Sequence, residues 1–177
     1  SGEEHFARRY GFRYAEHHWL VRFLDPYLQE LSGFPYSEFS IPLSTLGSLP
    51  FHDVDVIIVE NKVNLLTLPP HESGIVLGGV GRAATELRQV DWLRSNAITY
   101  WGDLDVEGLQ ILSAWRVIFP QTRSLLMDID SLEQFMSLKG VGRNSKLPMP
   151  PHLTMAEQIA YLRFSGEHIR LEQERIP

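Results

Sequence analysis

From residue 54 onward, short runs of apolar, β-branched residues alternate with stretches in which apolar positions recur every three or four residues. That switch between two periods is the pattern of βαβ units, in which a parallel sheet is buried on both faces. Strands are predicted over VDVIIVE (54–60), GIVLGG (74–79), AITYWGD (97–103) and TRSLLMD (122–128), and three of these four end on an acidic residue. Between them, residues 82–93 set Ala83, Leu87, Val90 and Leu93 toward one side, and residues 106–119 gather Ile111, Leu112, Trp115, Ile118 and Phe119 on one face. Both are predicted crossover helices. NKVNLLTLPP begins a shorter helix that its paired prolines stop.

Ahead of residue 54 the pattern differs. HHWLVRFLDP alternates Trp19, Val21 and Phe23, as a strand with one buried face would, and Pro26, Pro35, Pro42 and Pro50 punctuate the rest. Residues 1–50 therefore read as a small extension packed beside a core domain spanning 51–177. Past residue 128, SLEQFMSL suits a short helix, KGVGRNSKLPMPPH a polar loop, and Thr154 can cap the helix MAEQIAYLRF. The fold class is α/β, with a four-stranded parallel sheet as its core and helices flanking it. A start at SGEEHFARRY without methionine, and an end on RLEQERIP, suggest a fragment of a longer protein.

Composition narrows the classes of function. At 177 residues with 44% hydrophobic content, the chain can bury one sizeable core. No apolar run approaches the roughly 18 to 20 residues that a membrane-spanning helix needs, and a cysteine-free chain fits a reducing compartment, so the cytoplasm is the expected location. The absence of cysteine excludes disulfides, thiolate metal sites and thiol nucleophiles. Sixteen basic and 22 acidic residues give a formal charge of −6, the wrong sign for gripping nucleic acid by bulk electrostatics. Any DNA contact would need a local basic patch, bridging cations or a partner.

The chemistry concentrates at strand ends. In a parallel sheet these ends share one edge, where ligand sites gather. Glu60 closes the first predicted strand, Asp103 the third, and Asp105 follows at the turn into the next helix. Converging carboxylates must either raise their pKa values or take up a cation. An oxygen-only donor set suits a hard divalent ion such as Mg²⁺ with phosphate oxygens of a substrate, which points to phosphoryl-transfer chemistry. Gly108 at the helix start would let backbone approach a phosphate. The plainer reading is that the two aspartates cap the helix near Val106; it accounts for Asp105 and leaves Asp103 and Glu60 unexplained.

A glutamate ending the first strand, followed two strands later by DxDxxG, resembles the Toprim domain of topoisomerases, primases and several nucleases. More specifically, VENKVNLLTLPP, GIVLGGVG, YWGDLDVEGLQIL, SLLMD and the terminal LEQERI resemble the C-terminal region of the JetD family. These are the nuclease subunits of Wadjet anti-plasmid systems, with a Toprim domain similar to that of the topoisomerase VI A subunit. The resemblance extends over nearly the whole chain, including HHWLVRFLDP and FSIPLSTL. It implies a Toprim (Rossmann-like) fold and a metal-dependent DNA endonuclease acting within an SMC-type defence system. Glu60, Asp103 and Asp105 match the metal-binding and catalytic positions, expected to hold one or, more in keeping with phosphodiester cleavage, two Mg²⁺ or Mn²⁺ ions. Glu107 stands where that branch usually has no acid, so it is assigned a supporting or helix-dipole role, and Glu172 in LEQERI a supporting one. The implied partners are DNA, an SMC-type motor complex and a second copy in a homodimer, with no membrane.

Smaller signals fill in the picture. GGVGR (78–82) fits neither common nucleotide-binding glycine pattern and reads as a tight strand-to-helix turn, although Arg82 could meet a DNA phosphate there. Lys62 could hold a scissile phosphate or neutralise the carboxylates. Arg143 and Lys146 read as solvated loop residues. None of the seven histidines has zinc-site spacing, and none of the six tyrosines can be assigned a covalent role. Two rival functions remain: a non-catalytic DNA-clamp or assembly module, and a phosphotransferase with an aspartyl nucleophile. The second usually carries DxD on its first core strand, unlike this chain.

Overall fold

The computed structural model describes residues 9, 16–79, 81–142 and 147–176; for residues 81–84 the backbone alone is considered. In chain order the elements are β1 (His18–Phe23), α1 (Pro26–Ser32), β2 (Glu38–Pro42), α2 (Leu43–Gly47), β3 (Asp55–Val59), α3 (Lys62–Thr67) and β4 (Gly74–Gly78). After two 3₁₀ segments come β5 (Ala97–Trp101), α4 (Val106–Ile118), β6 (Arg123–Ser124), α5 (Ile129–Gln134), β7 (Gly140–Val141), α6 (Met155–Glu167) and β8 (Ile169–Arg170). Among the described residues no helix is long and apolar enough to cross a membrane.

Six strands form one mostly parallel sheet in the order β2-β1-β4-β3-β5-β6. The four-stranded parallel core expected from periodicity is present as β4-β3-β5-β6, and β1 adds to the free side of β4 in antiparallel register, followed by β2. Period-two alternation divides the core between the two faces. Val56, Ile58, Ile75, Leu77, Trp19, Val21 and Phe23 join the larger cluster with Leu109, Leu112 and Trp115 of α4 and Phe164 of α6. Val59 and Val76 face the other way, against Leu65 of α3 and Leu24. Arg22, on that same side of β1, donates from Nη1 to the carbonyls of Leu65 and Leu68 at 2.8 and 3.0 Å, closing the C-terminal end of α3.

Two predicted elements differ. Residues 82–93 do not form an α-helix but two 3₁₀ segments, Gly81–Gln89 and Asp91–Ser95, interrupted at Val90. The reason is in the spacing: Leu87, Val90 and Leu93, all buried, recur every three residues, which aligns them on a 3₁₀ helix rather than on a 3.6-residue one. The predicted strand 122–128 shrinks to Arg123–Ser124. The Leu125 N–H still bonds the Tyr100 carbonyl at 2.9 Å, but Leu126 takes a left-handed conformation (φ 55°) that turns the chain away. Asp128 then caps α5, its Oδ1 accepting from the Ser131 N–H at 2.9 Å, so the acid closing this strand serves a helix start.

Candidate metal and catalytic centre

The connection leaving β3 runs to β4 on one side, whereas that leaving β5 runs to β6 on the other. Adjacent strands whose outgoing connections diverge open a crevice at their C-terminal ends. Val59 pairs with Trp101 in parallel register, so Glu60 and Gly102 leave the sheet side by side. Beyond Trp101 the chain alternates half-buried Asp103, Asp105 and Glu107 with buried Gly102, Leu104, Val106 and Gly108. The acids thus line one side of a turn whose other side is sunk in the core.

Each of the three expected ligands is oriented by a neutral donor. The buried Tyr100 hydroxyl donates to Glu60 Oε1. The Gly108 N–H donates to Asp105 Oδ1 at 2.8 Å, making Asp105 the N-cap of α4. Asp103 Oδ1 accepts from the backbone N–H of Gln173 at 2.8 Å. The helix-cap reading therefore holds for Asp105 and does not extend to Asp103 or Glu60. Glycine at 108 has a reason within the chain: a Cβ there would collide with the carbonyl oxygen of Asp103, and its N–H is engaged by Asp105. Glycine at 102 is equally constrained, since a Cβ would strike both Glu60 Oε1 and the Tyr100 hydroxyl.

The electrostatics show the strain of this arrangement. Burial pushes Glu60 up to about 7; the Tyr100 hydrogen bond opposes this, and the charges of Asp103, Asp105 and Glu107 add to it. Asp105 is raised by burial and by Asp103 and Glu107, against the Gly108 hydrogen bond. Tyr100 is raised well above its ordinary range by burial and by Glu60, so it stays protonated and acts only as a donor. Among the described residues no Lys or Arg forms an ion pair with Glu60, Asp103 or Asp105.

A hard divalent cation suits this donor set in charge and in atom type. Among the described residues, however, no three His, Asp or Glu side chains are drawn together closely enough to hold a metal ion. Glu60 is turned to Tyr100, Asp105 to its own helix and Asp103 to Gln173.

The supporting positions separate. Glu107 lies in the first turn of α4, close enough to raise both Glu60 and Asp105. Lys62 is exposed at the first position of α3, beside the Asn61 cap. Glu172 is engaged by Arg170 and by Arg175, whose Nε lies 2.5 Å from Oε2. The side chain of Arg82, and Arg143 and Lys146 altogether, lie outside the described residues. Spacing arguments gave no hint of Tyr100, Gly102 or Gln173. Tyr100 was visible only as an apolar residue of a strand, and Gln173 sits in a segment singled out by resemblance alone.

A family model described as "Wadjet protein JetD, C-terminal" matches residues 11–177. No curated protein matches the chain.

Proposed function

The chain belongs to the JetD C-terminal family of Wadjet proteins, and on that basis we propose that it is the metal-dependent DNA-cleaving domain of a Wadjet defence system, built on a Toprim fold. The observation that carries this reading is the placement of Glu60, Asp103 and Asp105 at the β3/β5 switch point, where burial, with the charges of Asp103, Asp105 and Glu107 added, lifts Glu60 to about 7 and no cationic side chain among the described residues pairs with it. Glu60, Asp103 and Asp105 would hold one or two Mg²⁺ or Mn²⁺ ions. When bound, such ions stabilise charge on the scissile phosphate and lower the pKa of an attacking water.

The chain's own residues supply orientation and proton control. Tyr100 fixes Glu60 through a hydrogen bond to Oε1. Of the three acids Glu60 is the one suited to general-base work on a metal-activated water, its raised carboxyl in the metal-free chain marking how readily it holds a proton. Asp103 and Asp105 are kept in place by backbone N–H groups, so neither needs a flexible partner to hold its orientation. With a net charge of −6, DNA is best delivered by partners, for which an SMC-type motor complex and a second copy of the chain are the proposed candidates.

One observation favours a second reading, the non-catalytic clamp or assembly module: all three carboxylates already have internal hydrogen-bond donors, as structural groups would. Plasmid cleavage by the assembled system separates the two. Asp103→Ala should abolish cleavage while assembly persists; cleavage that survives both Asp103→Ala and Asp105→Ala would sink the nuclease proposal.

A further inference from the structure

We propose that Gln173 is a positioning residue of the carboxylate centre, presetting Asp103 and fastening the ends of β3 and β5 to each other. The inference rests on the metal-site reading above. Gln173 is fully buried (0% exposed), and it reaches the site from the far end of the chain. Its backbone N–H donates to Asp103 Oδ1 at 2.8 Å, and its Nε2 donates to the carbonyl of Trp101, the last residue of β5, at 2.9 Å. Its Oε1 accepts from the N–H of Asn61, the residue after Glu60, at 3.4 Å. One amide thus ties the residue that follows Glu60 to the strand that delivers Asp103. Reciprocal backbone bonds between Leu104 and Leu171, at 2.9 and 3.0 Å, press the same segment against the turn between Asp103 and Asp105.

The geometry does more than fill space. A buried amide is tolerated only when its donors and acceptors are met, and an apolar side chain of similar size would fill the same volume without that requirement. Here the donors and acceptor meet backbone groups on both carboxylate-bearing strand ends. The backbone bond to Asp103 is charge-assisted and fixes its carboxylate, and the side-chain amide holds in place the segment that carries this N–H. Partners that orient a metal-binding carboxylate in this way typically change metal affinity by about 10- to 100-fold when removed.

The test is Mn²⁺ titration of the full protein, followed by tryptophan fluorescence because Trp101 adjoins the site, with plasmid cleavage measured across the same Mn²⁺ range. Gln173→Ala keeps the backbone N–H on Asp103 but frees the segment that carries it, and should weaken Mn²⁺ affinity by about 10-fold, the low end for loss of a ligand's direct partner, with the cleavage rate recovering toward that of the unsubstituted protein at saturating Mn²⁺. Gln173→Met keeps the approximate size and adds no charge but loses both side-chain bonds, and should weaken Mn²⁺ affinity in the same direction; it carries the test if Gln173→Ala does not fold. Asn96→Ala is the structural control. That amide is also buried (4% exposed), but it serves Val54, Phe51 and Trp92 at the N-terminal edge of the sheet. It should lower thermal stability and leave Mn²⁺ affinity unchanged. A Gln173→Ala protein that behaves like Asn96→Ala overturns the positioning role. Asp103→Ala distinguishes the two levels: loss of Mn²⁺ binding there, with Gln173→Ala unaffected, overturns this inference alone, whereas unchanged binding in Asp103→Ala removes the metal-site reading and this inference with it.

Discussion

Two sites in this protein bury carboxylates and treat them in opposite ways. Glu157, at the start of α6, is 1% exposed, and burial alone would push it up. Arg116 reverses this by a two-pronged contact, Nη1 to Oε2 at 2.6 Å and Nη2 to Oε1 at 2.9 Å. Ser124 Oγ and the Thr154 N–H add bonds at 2.5 and 2.7 Å, and the group ends below its usual range. Glu60 has one neutral donor and three acidic neighbours, and it ends high. The difference is a cation from the chain. Where the charge is structural, the sequence supplies the guanidinium; at the β3/β5 edge no Lys or Arg among the described residues pairs with Glu60, Asp103 or Asp105, the arrangement expected of the proposed cation site.

The comparison breaks most readily at Arg116. Arg116→Ala leaves Glu157 buried beside a vacated space and should destabilise the protein by about 3–5 kcal/mol, read by chemical denaturation. A loss below about 1 kcal/mol, the range of an exposed pair, would mean the two regions differ less than their geometry suggests.

Next in size is the pair of aspartates. Asp103→Ala and Asp105→Ala should each lower plasmid cleavage by roughly 100-fold or more, the several kcal/mol that a bound metal contributes to the transition state. They should differ in stability. Asp105→Ala also removes a helix cap, a loss of about 1 kcal/mol, whereas Asp103→Ala removes no cap.

The pH dependences of the two sites should have opposite signs. Glu60 is raised from 4.5 to about 7, so its neutral form is the one that the fold favours. Its contribution to stability is complete below the ordinary value of 4.5 and is lost as pH rises through about 7. Glu60→Gln should therefore stabilise the protein at pH 8 by on the order of 2 kcal/mol, and change little near pH 4. Mn²⁺ should raise the melting temperature of the parent protein at pH 8 more than that of Glu60→Gln. Glu157 is lowered, so its contribution is present above the ordinary carboxylate range and is lost as pH falls through its folded value. A stability profile whose Glu60→Gln difference does not vanish in acid would contradict the raised pKa.

The smallest effect belongs to Thr154, whose Oγ1 accepts from the Glu157 N–H at 3.3 Å while Glu157 answers the Thr154 N–H. Thr154→Ala should lower stability by about 1 kcal/mol and leave cleavage unchanged.

Much of this was legible beforehand, for reasons that differ by element. β3 and β4 carry runs of Val, Ile and Leu that suit a sheet covered on both faces, β5 alternates buried Ile98 and Tyr100 with Ala97, Thr99 and Trp101, and β1 alternates Trp19, Val21 and Phe23 as its single large buried face requires. Thr154 and Glu157 stand three apart in capping-box order. Residues 82–93 read as an α-helix in the sequence and fold as 3₁₀ because apolar periods of three and of 3.6 overlap over so short a segment. β6 was overextended because nothing in the sequence announces that Leu126 turns left-handed.

What the sequence determined by itself was the layout: which runs become strands, which acids end them and, through the rule that parallel strands share a C-terminal edge, that Glu60 and Asp103 would meet. Those are consequences of local periodicity and chain direction. The local cap of Asp105 by the Gly108 N–H belongs with these, and what only the tertiary structure decided is how the other two acids are held: Tyr100 on Glu60, and Gln173 closing over Asp103 from the far end of the chain. Hydrogen bonds of that kind depend on where separate segments come to rest against one another. No spacing along a single chain encodes that position, and it exists only once the core has packed.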